Sequence, residues 1–246
     1  MIAMNRPSSL RIGVLVPQGN TVHEHEFSRL NTASVSFSFR GFAYPPADSP
    51  SFCDDLISQM DAPIRELKTC GVQAILVGCT TASMQCAGAR NQSRLEVMAG
   101  MPVVTAASAS LAAAAALGLS RVSVATPYGE RGNQVVSMFL ESQGITVAAI
   151  EGLALDRSPE DWAASASTLP PEKLLALALR IDSAQSQGLY LPCTGIGSLD
   201  AIAMFEARTG KPAFSSVQAG FWASLRLLGC EARQSGSGRL LDTWVF

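Results

Sequence analysis

The chain repeats itself. Arg11-Ile-Gly-Val-Leu-Val-Pro-Gln-Gly19 lines up with Arg121-Val-Ser-Val-Ala-Thr-Pro-Tyr-Gly129, sharing Arg, Val, Pro and Gly at matching places. Gln73-Ala-Ile-Leu-Val-Gly-Cys79-Thr80 lines up with Gln187-Gly-Leu-Tyr-Leu-Pro-Cys193-Thr194, and Gly100-Met-Pro-Val-Val-Thr105 with Gly210-Lys-Pro-Ala-Phe-Ser215. One such match can arise by chance. Three in the same order, each offset by roughly 110 residues, mark a duplicated unit the size of half a small two-lobed protein.

Each half reads as α/β. Ile12–Val16, Ala74–Val77, Val103–Val104, Val122–Ala125 and Leu189–Leu191 are short apolar runs that stop at Pro, Gly, Cys or Thr. Runs of that kind suit strands buried on both faces of a parallel sheet. Helical patterns lie between them, over Phe52–Cys70, Gly132–Gln143 and Glu172–Gln185, with glycine stops after Leu117 and Gln143. The fold expected is two doubly wound α/β lobes with parallel sheets, related by a pseudo-two-fold axis. The functional site is then expected in the interlobe cleft, at the carboxyl ends of the strands.

That rule gives two of the six cysteines a meaning. Cys79 and Cys193 sit at equivalent strand ends and should face each other across the cleft. A helix beginning just after each would lower its pKa and supply N–H groups for a carboxylate. Thr80, Thr81, Thr194 and Gly195 would line the same cradle, with Asn20 and Tyr128 at the other strand ends. Asn20 serves equally well as a cap for the first helix, and Tyr128 as surface packing. Cys53, Cys70, Cys86 and Cys230 have no partner in the repeat and are expected as free core or surface thiols. Cys86 lies two turns beyond Cys79 and should not share the cleft.

Other chemistries find little support. The cysteines form no C-x-x-C pairs and have no nearby histidines, so no metal site is expected. His23 and His25 fall in Thr21-Val-His-Glu-His-Glu26, where Thr21 and Glu24 suggest a capping box on a solvated helical turn. Gly195-Ile-Gly197 lacks the third glycine and trailing acid of a dinucleotide fingerprint. A net charge of −2 gives no reason to expect nucleic acid or an anionic membrane as partner. Nearly half the residues are apolar and 15% are charged, as in a compact globular protein. The alanine-rich stretch Ala106–Leu119 is too short to span a bilayer. Met1–Leu10 has no apolar core of a secretory signal, so a cytoplasmic location is expected.

The paired strand-end Cys-Thr motifs, one per half, resemble the aspartate/glutamate racemase superfamily. Within it, Val16-Pro17-Gln-Gly-Asn20-Thr21, Gly78-Cys79-Thr80, Ala125-Thr126-Pro127-Tyr128 and Cys193-Thr194-Gly195 look most like the maleate cis-trans isomerases. Ser215-Ser216-Val-Gln-Ala-Gly-Phe-Trp222 is similar to a segment of the related arylmalonate decarboxylases. The resemblance runs from Arg11 to about Gly229 and implies a cofactor-free reaction on a small dicarboxylate. It makes Cys79 a thiolate nucleophile on the double bond and Cys193 the acid that protonates the neighbouring carbon. Asn20 and Tyr128 would bind the carboxylates, aided by Thr80, Thr81, Thr194 and Gly195. It also implies that the helix through Gly220 to Leu228 returns to the first lobe. The lobes are then about 1–110 plus 215–246, and 111–214. A homo-oligomer, dimer or tetramer, is the expected assembly.

One departure stands out. The isomerases carry a further substrate-binding Asn where Glu151–Ser158 has Asp156, a negative charge that disfavours a dianion unless Arg157 offsets it. The decarboxylases usually keep only the second cysteine, which sets Cys79 against that activity. A two-cysteine racemase or epimerase, a decarboxylase, and a non-catalytic ligand binder are the alternatives.

Overall fold

The computed structural model describes residues 10–30, 35–46, 48–155, 162, 165–231 and 233–242. Asp156 and Arg157, with the segment before Leu10, lie outside them. The first half runs β1 (Leu10–Pro17), α1 (Val22–Arg29), β2 (Val35–Phe42), α2 (Phe52–Thr69), β3 (Ala74–Val77), α3 (Thr80–Gln85), α4 (Ala89–Ala99), β4 (Val103–Thr105) and α5 (Ala106–Ala116). The second runs β5 (Arg121–Thr126), α6 (Glu130–Ser142), β6 (Thr146–Gly152), α7 (Pro171–Ile181), β7 (Gly188–Leu191), α8 (Leu199–Thr209), β8 (Ala213–Ser215), α9 (Ser216–Leu227) and α10 (Arg239–Asp242).

The duplication is built into the sheets. Each is parallel and four-stranded, in the order β2-β1-β3-β4 and β6-β5-β7-β8. Small details repeat too. The Gln73 side-chain oxygen accepts from the Arg11 N–H at 2.8 Å, and that of Gln187 accepts from the Arg121 N–H at 2.9 Å. Each glutamine's own N–H donates to the carbonyl of the same arginine. The repeated Gln and Arg thus pin the start of the two central strands of each sheet, where the ladder begins.

β1, β3, β5 and β7 are almost wholly buried, which is why they read as continuous apolar runs. β8 is reached through the repeat alone, and two strands escape both signals. β2 and β6 are edge strands with partly exposed faces, and their apolar residues alternate with polar or small ones. The predicted helix Glu172–Gln185 ends at Ile181, because Asp182 takes an extended conformation.

The last helix of each half reaches across to the other. In α5, the Ser110 hydroxyl meets the Tyr190 hydroxyl of β7 at 2.9 Å. In α9, Gly220 lies so close to β3 that a Cβ there would stand 3.0 Å from Leu76 Cδ2. The two helices pack along each other, and Ile12, Val14 and Leu76 share one core with Val122, Tyr190 and Phe221. A second cluster, with Leu56, Met60, Ile64 and Leu95, fills the space between the first sheet and α2 and α4. Among the described residues, no helix is long and apolar enough to cross a membrane.

Candidate active site

β3 and β7 end at Cys79 and Cys193, and the thiols come within electrostatic reach of each other. The strand ends are joined directly. The Thr194 hydroxyl donates to the Gly78 carbonyl at 2.8 Å, linking the residue after one cysteine to the residue before the other. Asn20 supports the same junction: its amide N–H donates to the Thr194 carbonyl at 3.0 Å. Its side-chain oxygen accepts from the Val22 and His23 N–H groups, so Asn20 also caps α1. This replaces the capping box expected from Thr21 and Glu24. Thr21 itself has helical backbone angles and makes no side-chain cap, which moves the capping role back to Asn20.

The two cysteines are held differently. Cys79 is the N-cap of α3, as expected, and its sulfur interacts with the Ala82 N–H and the Thr81 hydroxyl. These contacts favour a thiolate, but the side chain is only 6% exposed and burial outweighs them. The Cys79 pKa is pushed up to about 12, against the lowering expected from a helix N-terminus. No helix begins at Cys193. A loop runs from there to Ser198 before α8 starts, and Cys193 takes φ +136°, a left-handed conformation that is strained for a side chain with a Cβ. In that conformation its sulfur accepts from the Gly195 N–H at 3.1 Å. Its own N–H points to the Ser216 hydroxyl at 3.5 Å.

Hydroxyls surround the pair. Tyr128 is buried and hydrogen-bonded to the Cys193 sulfur; burial first, then the nearby thiol, raises its pKa well above the usual value. Thr80 Oγ1 is buried with no hydrogen-bond partner, an arrangement that costs free energy until an acceptor arrives. Thr81 meets the Tyr44 hydroxyl at 3.5 Å. All eight residues singled out from the sequence are therefore brought to one junction.

Tyr44, Tyr190, Trp162, His23 and Glu26 were not anticipated there. Tyr44 follows β2, so it obeys the same strand-end rule that pointed to Asn20, but β2 itself went unread. Burial lifts its pKa to about 12, with Cys79 adding to the rise and Arg131 opposing it. Tyr190 lies beneath Cys193, its hydroxyl between those of Ser110 and Ser216. Trp162 stacks on Tyr128 at 6.1 Å between ring centroids, and a Cβ on Gly195 would meet its ring at 2.9 Å. His23, expected in solvent, is fully buried against Phe27 and the Cα of Gly78, and desolvation lowers its pKa to about 3.

Two further expectations are corrected. Cys53 and Cys86 are joined in a disulfide rather than free. The bridge ties the end of α3 to the first turn of α2. Cys70 and Cys230 are free thiols. Among the described residues, no group of three or more His, Cys, Asp or Glu is placed to hold a metal ion.

Comparison with known proteins agrees with this architecture. The family model described as arylmalonate decarboxylase matches residues 12–241. Arylmalonate decarboxylase of Bordetella bronchiseptica is 29% identical, with 97% of this chain and 99% of the relative aligned. Maleate isomerase of Nocardia farcinica is 26% identical, with 94% and 95% aligned. Among solved structures, a variant of the maleate isomerase Iso from Pseudomonas putida S16 with maleate superposes with a TM-score of 0.83 at 26% identity, covering 95% of this chain and 97% of that one.

Proposed function

The chain belongs to the arylmalonate decarboxylase family, and within it we propose a cofactor-independent cis-trans isomerase that converts maleate, or a close relative, to fumarate. The observation that carries this reading is the thiol pair: two buried cysteines at equivalent strand ends, within electrostatic reach of each other amid hydroxyl and N–H donors. In the proposed reaction the Cys79 thiolate adds to one alkene carbon. The electron pair moves toward the far carboxylate, and the Cys193 thiol protonates the carbon between. The resulting single bond rotates. Cys193 then takes the proton back, the C–S bond breaks, and fumarate leaves with Cys79 again a thiolate.

The carboxylates are assigned to Thr80, Thr81, Tyr128 and the Gly195 N–H, with Asn20 and Thr194 contributing from the lobe junction. The unsatisfied Thr80 hydroxyl supports this assignment. So do the Ala82 N–H and Thr81 hydroxyl, which stabilise the Cys79 thiolate once the site opens to admit substrate.

A second reading has its own support. The Trp162–Tyr128 stack sets an aromatic wall beside Cys193, which suits a planar substituent on a malonate-type substrate. Proton NMR in heavy water separates the readings. Maleate giving fumarate supports the isomerase. Unchanged maleate with phenylmalonate converted to phenylacetate and carbon dioxide supports the decarboxylase, and exchange of an α-proton without either supports a racemase. Binding without any turnover would leave a ligand binder.

A further inference from the structure

We propose that Glu26, in the first lobe, is a positioning residue for Cys193 in the second. It braces the strained loop after β7 so that this thiol stays opposite Cys79. The inference rests on the two-thiol reading above, but not on which substrate those thiols act upon.

The loop from Cys193 to Ser198 is held mainly from the other lobe. Its near end is tied by Thr194 to Gly78 and Asn20. Its far end is tied by Glu26, and the Ser198 hydroxyl also donates to that of Ser215 at 2.8 Å. One carboxylate oxygen of Glu26 accepts from the Ser198 N–H at 2.7 Å, the Leu199 N–H at 3.0 Å and the Ser198 hydroxyl at 3.3 Å. The other accepts from Arg29 at 3.0 Å, and Arg29 continues to Asp200 in the first turn of α8. The carboxylate therefore sits on the N-terminus of α8, where the helix dipole favours negative charge. It is 1% exposed, a placement tolerable for a charge only because each oxygen is satisfied.

Three observations make this more than adhesion between lobes. The loop it anchors carries the strained Cys193 backbone, a conformation that persists only while its surroundings over-determine it. The near-end ties belong to Asn20 and Thr194, which the proposed reaction asks to meet substrate. Glu26 is then the anchor that substrate cannot displace. Finally, the brace breaks the pseudo-symmetry: in the Arg11–Arg121 register the position matching Glu26 is Val136, a buried apolar residue. Cys79 needs no such brace, because it passes straight into α3.

The test compares alkylation of Cys193 and Cys79 by iodoacetamide, each followed on its own peptide by mass spectrometry, in native protein, Glu26→Gln and Glu26→Ala. We expect Cys193 in Glu26→Ala to alkylate about tenfold faster while Cys79 changes less than about twofold, and kcat to fall at least about tenfold with KM within about threefold. Glu26→Gln keeps an acceptor oxygen and should lie between, with Cys193 accelerated about threefold. Equal acceleration of both thiols would mean a purely structural role and overturn the proposal. So would a native Cys193 rate in both variants. Should Glu26→Ala not fold, Glu26→Gln decides by the same comparison. If the native protein fails to turn over maleate, the isomerase reading falls, while the alkylation result still judges Glu26.

Discussion

Burial pushes the two titratable groups flanking Gly78 in opposite directions, and both effects can be measured. His23 packs on the Gly78 Cα with its pKa lowered to about 3 by desolvation. In the unfolded chain it takes a proton near 6.5, whereas the folded protein resists until about 3. The unfolded state therefore binds more protons in that window, and stability falls as pH drops through it, by about 5 kcal/mol in total. Denaturant titrations across this range should show the fall, and His23→Phe should lose most of it; an unchanged slope in the variant would contradict the assignment. Cys79 shifts the other way, to about 12. Without substrate, its alkylation should keep rising above about pH 10, where an ordinary thiol has levelled off. A plateau by about pH 10 would contradict the burial argument. The cysteines themselves were legible because duplication makes them equivalent. His23 was not, since its neighbours are polar; the available signal was its i, i+4 spacing to Phe27, which puts both on the buried face of α1.

At the scale of elements, α3 is the piece on which the site depends most. It is only six residues long, with Cys79 as N-cap and Cys86 as C-cap. So short a helix has little stability of its own. The disulfide from Cys86 to Cys53, 33 residues apart, fixes its far end to α2. Closing a loop of that size stabilises by about 4 kcal/mol through the unfolded chain. Reduction, or Cys53→Ser with Cys86→Ser, should lower the denaturation midpoint accordingly; identical midpoints in oxidised and reduced protein would contradict the bridge. Sequence spacing does not reveal such a pair, and the assumption of a reducing compartment argued against it. The edge strands were hidden for another reason. A search for runs buried on both faces finds β1, β3, β5 and β7, but passes over β2 and β6, whose outer residues meet solvent.

At the scale of the molecule, α5 and α9 pack along each other and one core draws on both halves. Unfolding should follow one cooperative transition by every probe, whereas two resolved transitions would contradict the shared core. Gly220→Val, which forces a side chain against Leu76, should cost about 1–3 kcal/mol. The doubling itself was legible from the repeated strand motifs; the strand order was not, because the edge strands β2 and β6 carry no such motif. What the repeat could not reveal is where the halves differ. Cys79 enters a helix and Cys193 a strained loop, and only one loop is braced by Glu26. Those differences fit unequal roles for the two thiols; that both are required is the central claim.

Turnover of maleate by Cys79→Ala, Cys193→Ala and the double variant tests that claim most directly. Residues that act as one unit lose activity together, so each single variant should fall by at least about 1,000-fold and the double variant little further. Full activity in either single variant, with the native protein active, would contradict the two-thiol mechanism.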